Sequence, residues 1–224
     1  TSEVVLGIGT GSTVNFFIEE LGKFTSHFRG AVSSSEASTR LLKAKNIEVF
    51  SLNDVNEIEF YIDGADEVSP DNFLIKGGGG AHTREKIVAS AANYFICIVD
   101  SSKLVNQLGA FPLPIEVIPE SRSLVSRKIV SMGGIPLYRN GFLTDQGNEI
   151  IDVKNLDVSD HLCLAKTRKI IYPAKRGGTP CPKLKHTIGC NFDPCVNKNF
   201  KKFFPILGNV SNAYFPDVLE QLGL

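Results

Sequence analysis

Short apolar runs ending in glycine, serine or aspartate recur along the first half of the chain, with helical spacing between them. Glu3-Val4-Val5-Leu6-Gly7-Ile8 reads as a buried strand. Val14, Phe17, Ile18 and Leu21 follow at helical spacing, with Ser12 or Thr13 placed to cap that helix. Gly30-Ala31-Val32-Ser33 predicts a second strand running into a hydroxyl-rich loop, Ser33-Ser34-Ser35, and a helix starts over Ser38–Leu42. Ile47-Glu48-Val49-Phe50 predicts a third strand, and Ile58-Glu59-Phe60-Tyr61-Ile62 a fourth that ends at Asp63. Thr83 to Phe95 reads as a helix, with Ile87, Val88, Ala91 and Phe95 on one face, and Phe95–Asp100 as a further buried strand. Alternating strands and helices predict an α/β fold: a doubly wound, mostly parallel, Rossmann-like sheet.

The second half has a different rhythm. Prolines at 112, 114 and 119 punctuate an apolar segment, which reads as an extended linker leaving the first domain. Leu124, Val125, Ile129 and Val130 then mark a short helix stopped by Gly133-Gly134. Ile135–Tyr138 and Gly141–Thr144 give strand signals, and Asp145–Asn148 a hairpin turn into Glu149–Val153. A helix and strands of this kind make about half of a small α+β domain. The predicted division is 1–118, 119–160 and a tail, 161–224.

Charge is balanced at 24 basic against 24 acidic residues, so it suggests neither a nucleic-acid nor a membrane partner. No apolar run is long enough for a transmembrane helix. The balance hides a split. Residues 1–160 carry 14 Lys and Arg against 21 Asp and Glu, whereas residues 161–224 carry 10 against 3. Four of the five cysteines (Cys163, Cys181, Cys190, Cys195) and six of the eleven prolines fall in that tail. Cys97, inside an apolar run, reads as a reduced core cysteine.

Candidate chemistry collects at the carboxyl ends of the predicted strands, where α/β sheets bind ligands. Thr10-Gly11-Ser12-Thr13 offers backbone and hydroxyl donors to an anion. Asp63-Gly64-Ala65-Asp66-Glu67 supplies two carboxylates at a strand end. Lys76 runs into Gly77-Gly78-Gly79-Gly80, and Glu85 lies in the first turns of the helix beyond. Ser101-Ser102-Lys103 falls on the same edge. Three acids and a lysine beside bare backbone suit proton transfer next to a carbonyl, as an aldose–ketose isomerase performs through an enediolate. Each group also has a plainer reading: turn-capping aspartates, a first-turn glutamate favoured by the helix dipole, solvated lysines, and His82 as a surface or turn residue. Two carboxylates are a thin ligand set for Mg²⁺.

These motifs closely resemble ribose-5-phosphate isomerase, type A. The match runs through Gly9-Thr10-Gly11-Ser12-Thr13, Ser33-Ser34-Ser35, Asp63–Glu67, Lys76–Gly79, Arg84-Glu85-Lys86, Asp100–Lys103, Pro112–Val117 and Thr144–Asn148, in order across residues 4–158. The resemblance implies interconversion of D-ribose 5-phosphate and D-ribulose 5-phosphate in the pentose phosphate pathway, with no metal or organic cofactor. It implies Glu85 as the proton-transferring base. By the same resemblance Asp63, Asp66 and Lys76 look like the groups that open the sugar ring and steady the enediolate. The resemblance places substrate contacts at Thr10, Gly11, Ser12, Thr13, Asp63, Gly64, Ala65, Asp66, Lys76, Gly77, Gly78, Gly79 and Lys103. It further implies a smaller α+β (ferredoxin-like) domain, a cytoplasmic location and a homodimer or homotetramer, with the sugar phosphate as the one small-molecule partner.

Two departures stand out. The family's helix before the first strand is absent, and from about Asp160 the family pattern stops. Cys181, His186, Cys190 and Cys195 lack the paired spacing of common zinc modules, and a disulfide framework clashes with a cytosolic enzyme. The abrupt change in charge, cysteine and proline instead points to a tail read in a shifted frame or from a decayed gene. That leaves the small domain incomplete and the main sheet without its last strand. The alternatives to an active isomerase are a non-enzymatic sugar-phosphate sensor domain and an inactive isomerase fragment.

Overall fold

The computed structural model describes residues 3–70, 73–158 and 204–206. In chain order its strands are β1 (Val5–Ile8), β2 (Gly30–Ser33), β3 (Ile58–Asp63), β4 (Glu67–Val68), β5 (Leu74–Ile75), β6 (Ala92–Asp100), β7 (Leu113–Val117), β8 (Ile135–Tyr138), β9 (Glu149–Lys154) and β10 (Phe204–Ile206). Its α-helices are α1 (Ser12–Leu21), α2 (Glu36–Ala44), α3 (His82–Ala91) and α4 (Arg122–Ser131). Two units share the chain by interleaving. One holds the described residues of 3–65 and 84–103 together with β10, the other those of 66–83 and 104–158, so residue 118 is not a boundary between them.

The first unit is a parallel sheet in the order β10-β6-β3-β1-β2. The chain steps from β1 outward to β2, then returns to place β3 on the other side of β1. The gap between the ends of β1 and β3 is therefore the point where the winding reverses. Strand alternation separates the two faces. Leu6, Ile8, Ile62, Ile96 and Ile98 join Val14, Phe17, Ile18 and Leu21 of α1 and Leu42 of α2 in one buried cluster. On the opposite face a Cβ on Gly7 would come within 2.9 Å of the Tyr61 ring and 3.0 Å of Val88 on α3. Helices thus cover both faces, the doubly wound arrangement that the alternation predicts.

Several local expectations are corrected. Gly11, not Ser12 or Thr13, occupies the cap position of α1, with φ 112°. That backbone region is strained for any residue with a side chain, so the two hydroxyl residues become the first two residues of the helix. α2 begins at Glu36 because Ser35 caps it, accepting from the Ser38 amide at 3.1 Å. Residues 47–50 are not a strand. They make one bridge, Val49 to Ala31, beside β2. The helix expected to reach Phe95 stops at Ala91, because Tyr94 and Phe95 stack as strand residues on Phe60 and Tyr61 of β3. Aromatic cross-strand packing outweighs helical spacing there. The sheet also does not lack an outer strand, since Phe204–Ile206 pairs with Ile98–Asp100 of β6. The rest of the tail, including its cysteines, His186 and the frame-shift reading, lies outside the described residues.

The second unit has an antiparallel sheet, β7-β9-β8, and a separate two-stranded pair, β4-β5. Val125 and Ile129, one turn apart on α4, pack with Ile115, Val117, Ile151 and Val153 of the sheet. The proline-punctuated segment is not a linker: Leu113–Val117 forms β7. Proline lacks the ladder donor, and its two sheet positions, Pro114 and Pro136, fall on the outer strands while β9 in the middle has none. Gly141–Thr144 is not a strand either. Thr144 instead closes the turn, its amide donating to the Asn148 carbonyl at 2.9 Å. Cys97 is a buried free thiol, as expected. Among the described residues no helix is long and apolar enough to cross a membrane.

Adjacent phenylalanines on α1 give a direct test of this packing. Phe17 is fully buried and Phe16 is 47% exposed. Phe17→Ala is expected to cost about 3–5 kcal/mol, and Phe16→Ala less than about 0.5 kcal/mol, read from urea unfolding midpoints. Equal losses would contradict the orientation of α1.

Candidate active site

In the first unit the carboxyl ends of β1, β2 and β3 are tied together by hydroxyls and one carboxylate. Asp63 at the end of β3 has no solvent exposure. Its Oδ1 accepts from the amides of Gly64 at 2.7 Å and Thr10 at 3.2 Å, and its Oδ2 accepts from the Tyr61 hydroxyl at 2.6 Å. The approach of Asp63 to β1 requires Gly9, where a Cβ would stand 2.1 Å from Oδ1. Thr10 shares its hydroxyl with Ser35 at 2.8 Å. Ser38 donates to the Gly9 carbonyl at 2.6 Å, and Ser33 pairs with Thr39. Ser35 of the serine run and Ser38 of α2 therefore brace the Gly9–Thr10 turn. Gly11 and Ser12 are exposed and Thr13 is half-buried at the start of α1. Gly64 and Ala65 are half-buried just past Asp63.

Glu85 is 2% exposed in the first turn of α3. Its neighbour Arg84 reaches back to α2 and pairs with Glu36 at 2.6 Å, which holds that exposed carboxyl below its ordinary range. At the end of β6, Asp100 accepts from the Ser102 amide at 2.8 Å and from its hydroxyl, and these bonds lower its pKa. The resulting turn carries half-buried Lys103.

In the second unit Asp66 accepts from the Gly78 amide through Oδ2 at 2.8 Å, and its own amide donates to the Ile75 carbonyl at 2.8 Å. Arg139 completes the hold on the glycine loop. It donates to the Gly78 carbonyl at 3.0 Å while its Nε bonds Asp152 at 2.8 Å. Lys76 is 4% exposed, so the reading of a solvated lysine is set aside. Gly77 is buried, Gly78 half-buried and Gly79 exposed. His82 is not a surface residue. It is 1% exposed, and a Cβ on Gly77 would fall 2.2 Å from its ring. Among the described residues no three of His, Cys, Asp and Glu gather as they would around a metal ion.

Other motif acids serve the fold of this unit. Glu67 accepts from the amides of Gly109 at 2.7 Å and Phe111 at 2.5 Å. Glu116, buried on β7, accepts from the Thr83 amide at 3.0 Å, the Thr83 hydroxyl at 2.6 Å, Thr144 at 2.8 Å and Asn148 at 2.9 Å. Tyr61, Ser38, Glu116 and Arg139 were not singled out from the sequence. Only Tyr61 left a legible signal, lying two residues before Asp63 and so on the same strand face.

A family model described as ribose 5-phosphate isomerase A (phosphoriboisomerase A) matches residues 30–171. The ribose-5-phosphate isomerase A of Mannheimia succiniciproducens is 50% identical over 187 residues, 83% of this chain and 85% of that protein. That of Haemophilus influenzae is 55% identical over 159 residues, 70% of this chain and 73% of its own. The crystal structure of ribose 5 phosphate isomerase A from Neisseria gonorrhoeae superposes with a TM-score of 0.71 at 51% identity, over 76% of this chain and 77% of that one. The alternatives of a sensor domain or an inactive fragment find no support among these relatives.

The contact between Gly9 and Asp63 yields a test. Gly9→Ala forces backbone or carboxylate to move, an overpacking expected to cost about 1–3 kcal/mol. Thermal or urea unfolding of the variant reads this, and wild-type stability would mean that Asp63 does not sit against β1.

Proposed function

The chain belongs to the ribose 5-phosphate isomerase A family, and we propose that it interconverts D-ribose 5-phosphate and D-ribulose 5-phosphate through an enediolate. Glu85 takes the proton from C2 of the aldose. The electron pair moves into a C1–C2 double bond, and the carbonyl oxygen becomes an oxyanion. The proton then returns to C1, while the proton of the C2 hydroxyl passes to the C1 oxyanion, leaving a hydroxyl on C1 and a ketone at C2. Atoms balance without an external oxidant or reductant.

Before this step the furanose ring opens: the C1 hydroxyl loses a proton and the ring oxygen gains one. Asp63, Asp66 and Lys76 are assigned to that exchange, and Lys76 also to steadying the developing oxyanion. Thr10, Gly11, Ser12 and Thr13 bind the phosphate, since backbone amides at the start of α1 favour an anion. Gly64, Ala65, Gly77, Gly78, Gly79 and Lys103 complete the substrate contacts. The observation that carries the reading is burial within the central stretch: Asp63 is 0%, Glu85 2% and Lys76 4% exposed. Ionisable groups are rarely kept from water at a cost in solvation unless paired or used. The reading extends to a homo-oligomer, dimer or tetramer, working in the cytoplasm, as the sequence resemblance implies.

Glu85→Gln removes the base and keeps the shape. Turnover of ribose 5-phosphate is expected to fall by about 10²–10⁴, with calorimetric affinity for the sugar phosphate changed only a few-fold. A variant that retains turnover within tenfold, or a wild-type chain without isomerase activity, would overturn the reading.

A further inference from the structure

Tyr61 precedes Asp63 by two residues on β3, so both side chains leave the same face of the sheet. Its ring is fully buried and stacked on Phe95, with centroids 5.6 Å apart and planes at 23°. The absence of a side chain on Gly7 leaves the ring its space. The hydroxyl lies 2.6 Å from Oδ2 of Asp63. Burial, with the charges of Asp63 and Glu85 next in weight, pushes the phenol's ionisation well above its ordinary range. A hydroxyl that keeps its proton throughout the working pH range is a permanent donor to the carboxylate.

The two oxygens of Asp63 are held by different means. Oδ1 is held by the backbone amides of Thr10 and Gly64, and Oδ2 by the Tyr61 side chain. Turning the carboxylate about its Cβ–Cγ bond breaks bonds at both oxygens. We propose that Tyr61 is a positioning residue for the isomerisation, its hydroxyl fixing the plane of the Asp63 carboxylate against the end of β1. The inference rests on the role given to Asp63 above. Tyr61 itself transfers no proton to substrate. Charge-assisted hydrogen bonds are the stronger and more directional kind, which suits the task.

Tyr61→Phe keeps the ring and its stack and removes the hydroxyl that donates to Asp63. Its kcat is expected to fall about tenfold with KM within about twofold, a loss confined to the transition state. In an Asp63→Asn background the same change is expected to alter kcat, or calorimetric affinity for ribose 5-phosphate if turnover is too slow, by less than about twofold. A Tyr61→Phe enzyme with wild-type kcat overturns the inference. So does a Tyr61→Phe loss of the same size with and without the Asp63 carboxylate, which marks a purely structural residue. Wild-type turnover in Asp63→Asn alone removes the premise, and the inference with it. If Tyr61→Phe does not fold in a thermal melt, Tyr61→Met, which also lacks the donor, gives the same comparison.

Discussion

A carboxylate sealed from water must be surrounded by donors, and Asp63 imposes that requirement on the sheet around it. Two donors are amides whose positions depend on how closely β1 and β3 approach. That approach depends on Gly9 having no side chain. The third is a phenol whose ring is clamped by an aromatic neighbour on β6. Ser38 of α2 then holds the Gly9 carbonyl, and Ser35 the Thr10 hydroxyl, from the other side. Removing the charge, the glycine or the ring leaves the others without their reason. An unpaired buried carboxylate costs several kcal/mol (roughly, for a group that cannot neutralise), more than any single contact here returns.

The acids of the matched motifs divide into two kinds. Glu67 and Glu116 are saturated by amides and hydroxyls of their own unit and hold loops in place. Asp100 shapes a turn, and Arg84 braces a neighbouring helix. Asp66 does local work as well, since its Oδ2 fixes the Gly78 amide. Motif residues like Glu67 and Glu116 set the backbone around the site proposed above rather than meet a ligand themselves.

Strand β1, the end of β3, the helical face of α1 and the turn at Asp145–Asn148 could all be read from the sequence, because their signals are local. Residues 47–50 could not be told from a strand, since only the partner decides whether an apolar run pairs along its length or at one point. Helix α3 read four residues too long because the spacing of Ile87, Val88, Ala91 and Phe95 suits a helix until Tyr94 and Phe95 find aromatic partners on β3. The run through Pro112–Pro119 misled for the opposite reason. Its prolines excluded a central strand but not an edge one. In the site, residue types announced the acids and the glycine turns, whereas Arg139 and Ser38 act across long sequence separations that no local pattern encodes.

The interleaving of the two units has a consequence while the chain is being made. Synthesis delivers β3 well before β6, and residues 66–83 of the other unit emerge in between. Until β6 arrives, Tyr61 has no Phe95 to stack on and one side of β3 is an open edge. Neither unit can finish as an independent nascent domain, because each waits for a segment that lies beyond part of the other. For this chain, cutting or slowing synthesis near residue 90 would strand an apolar strand with an acid at its tip, a species suited to chaperones rather than to catalysis.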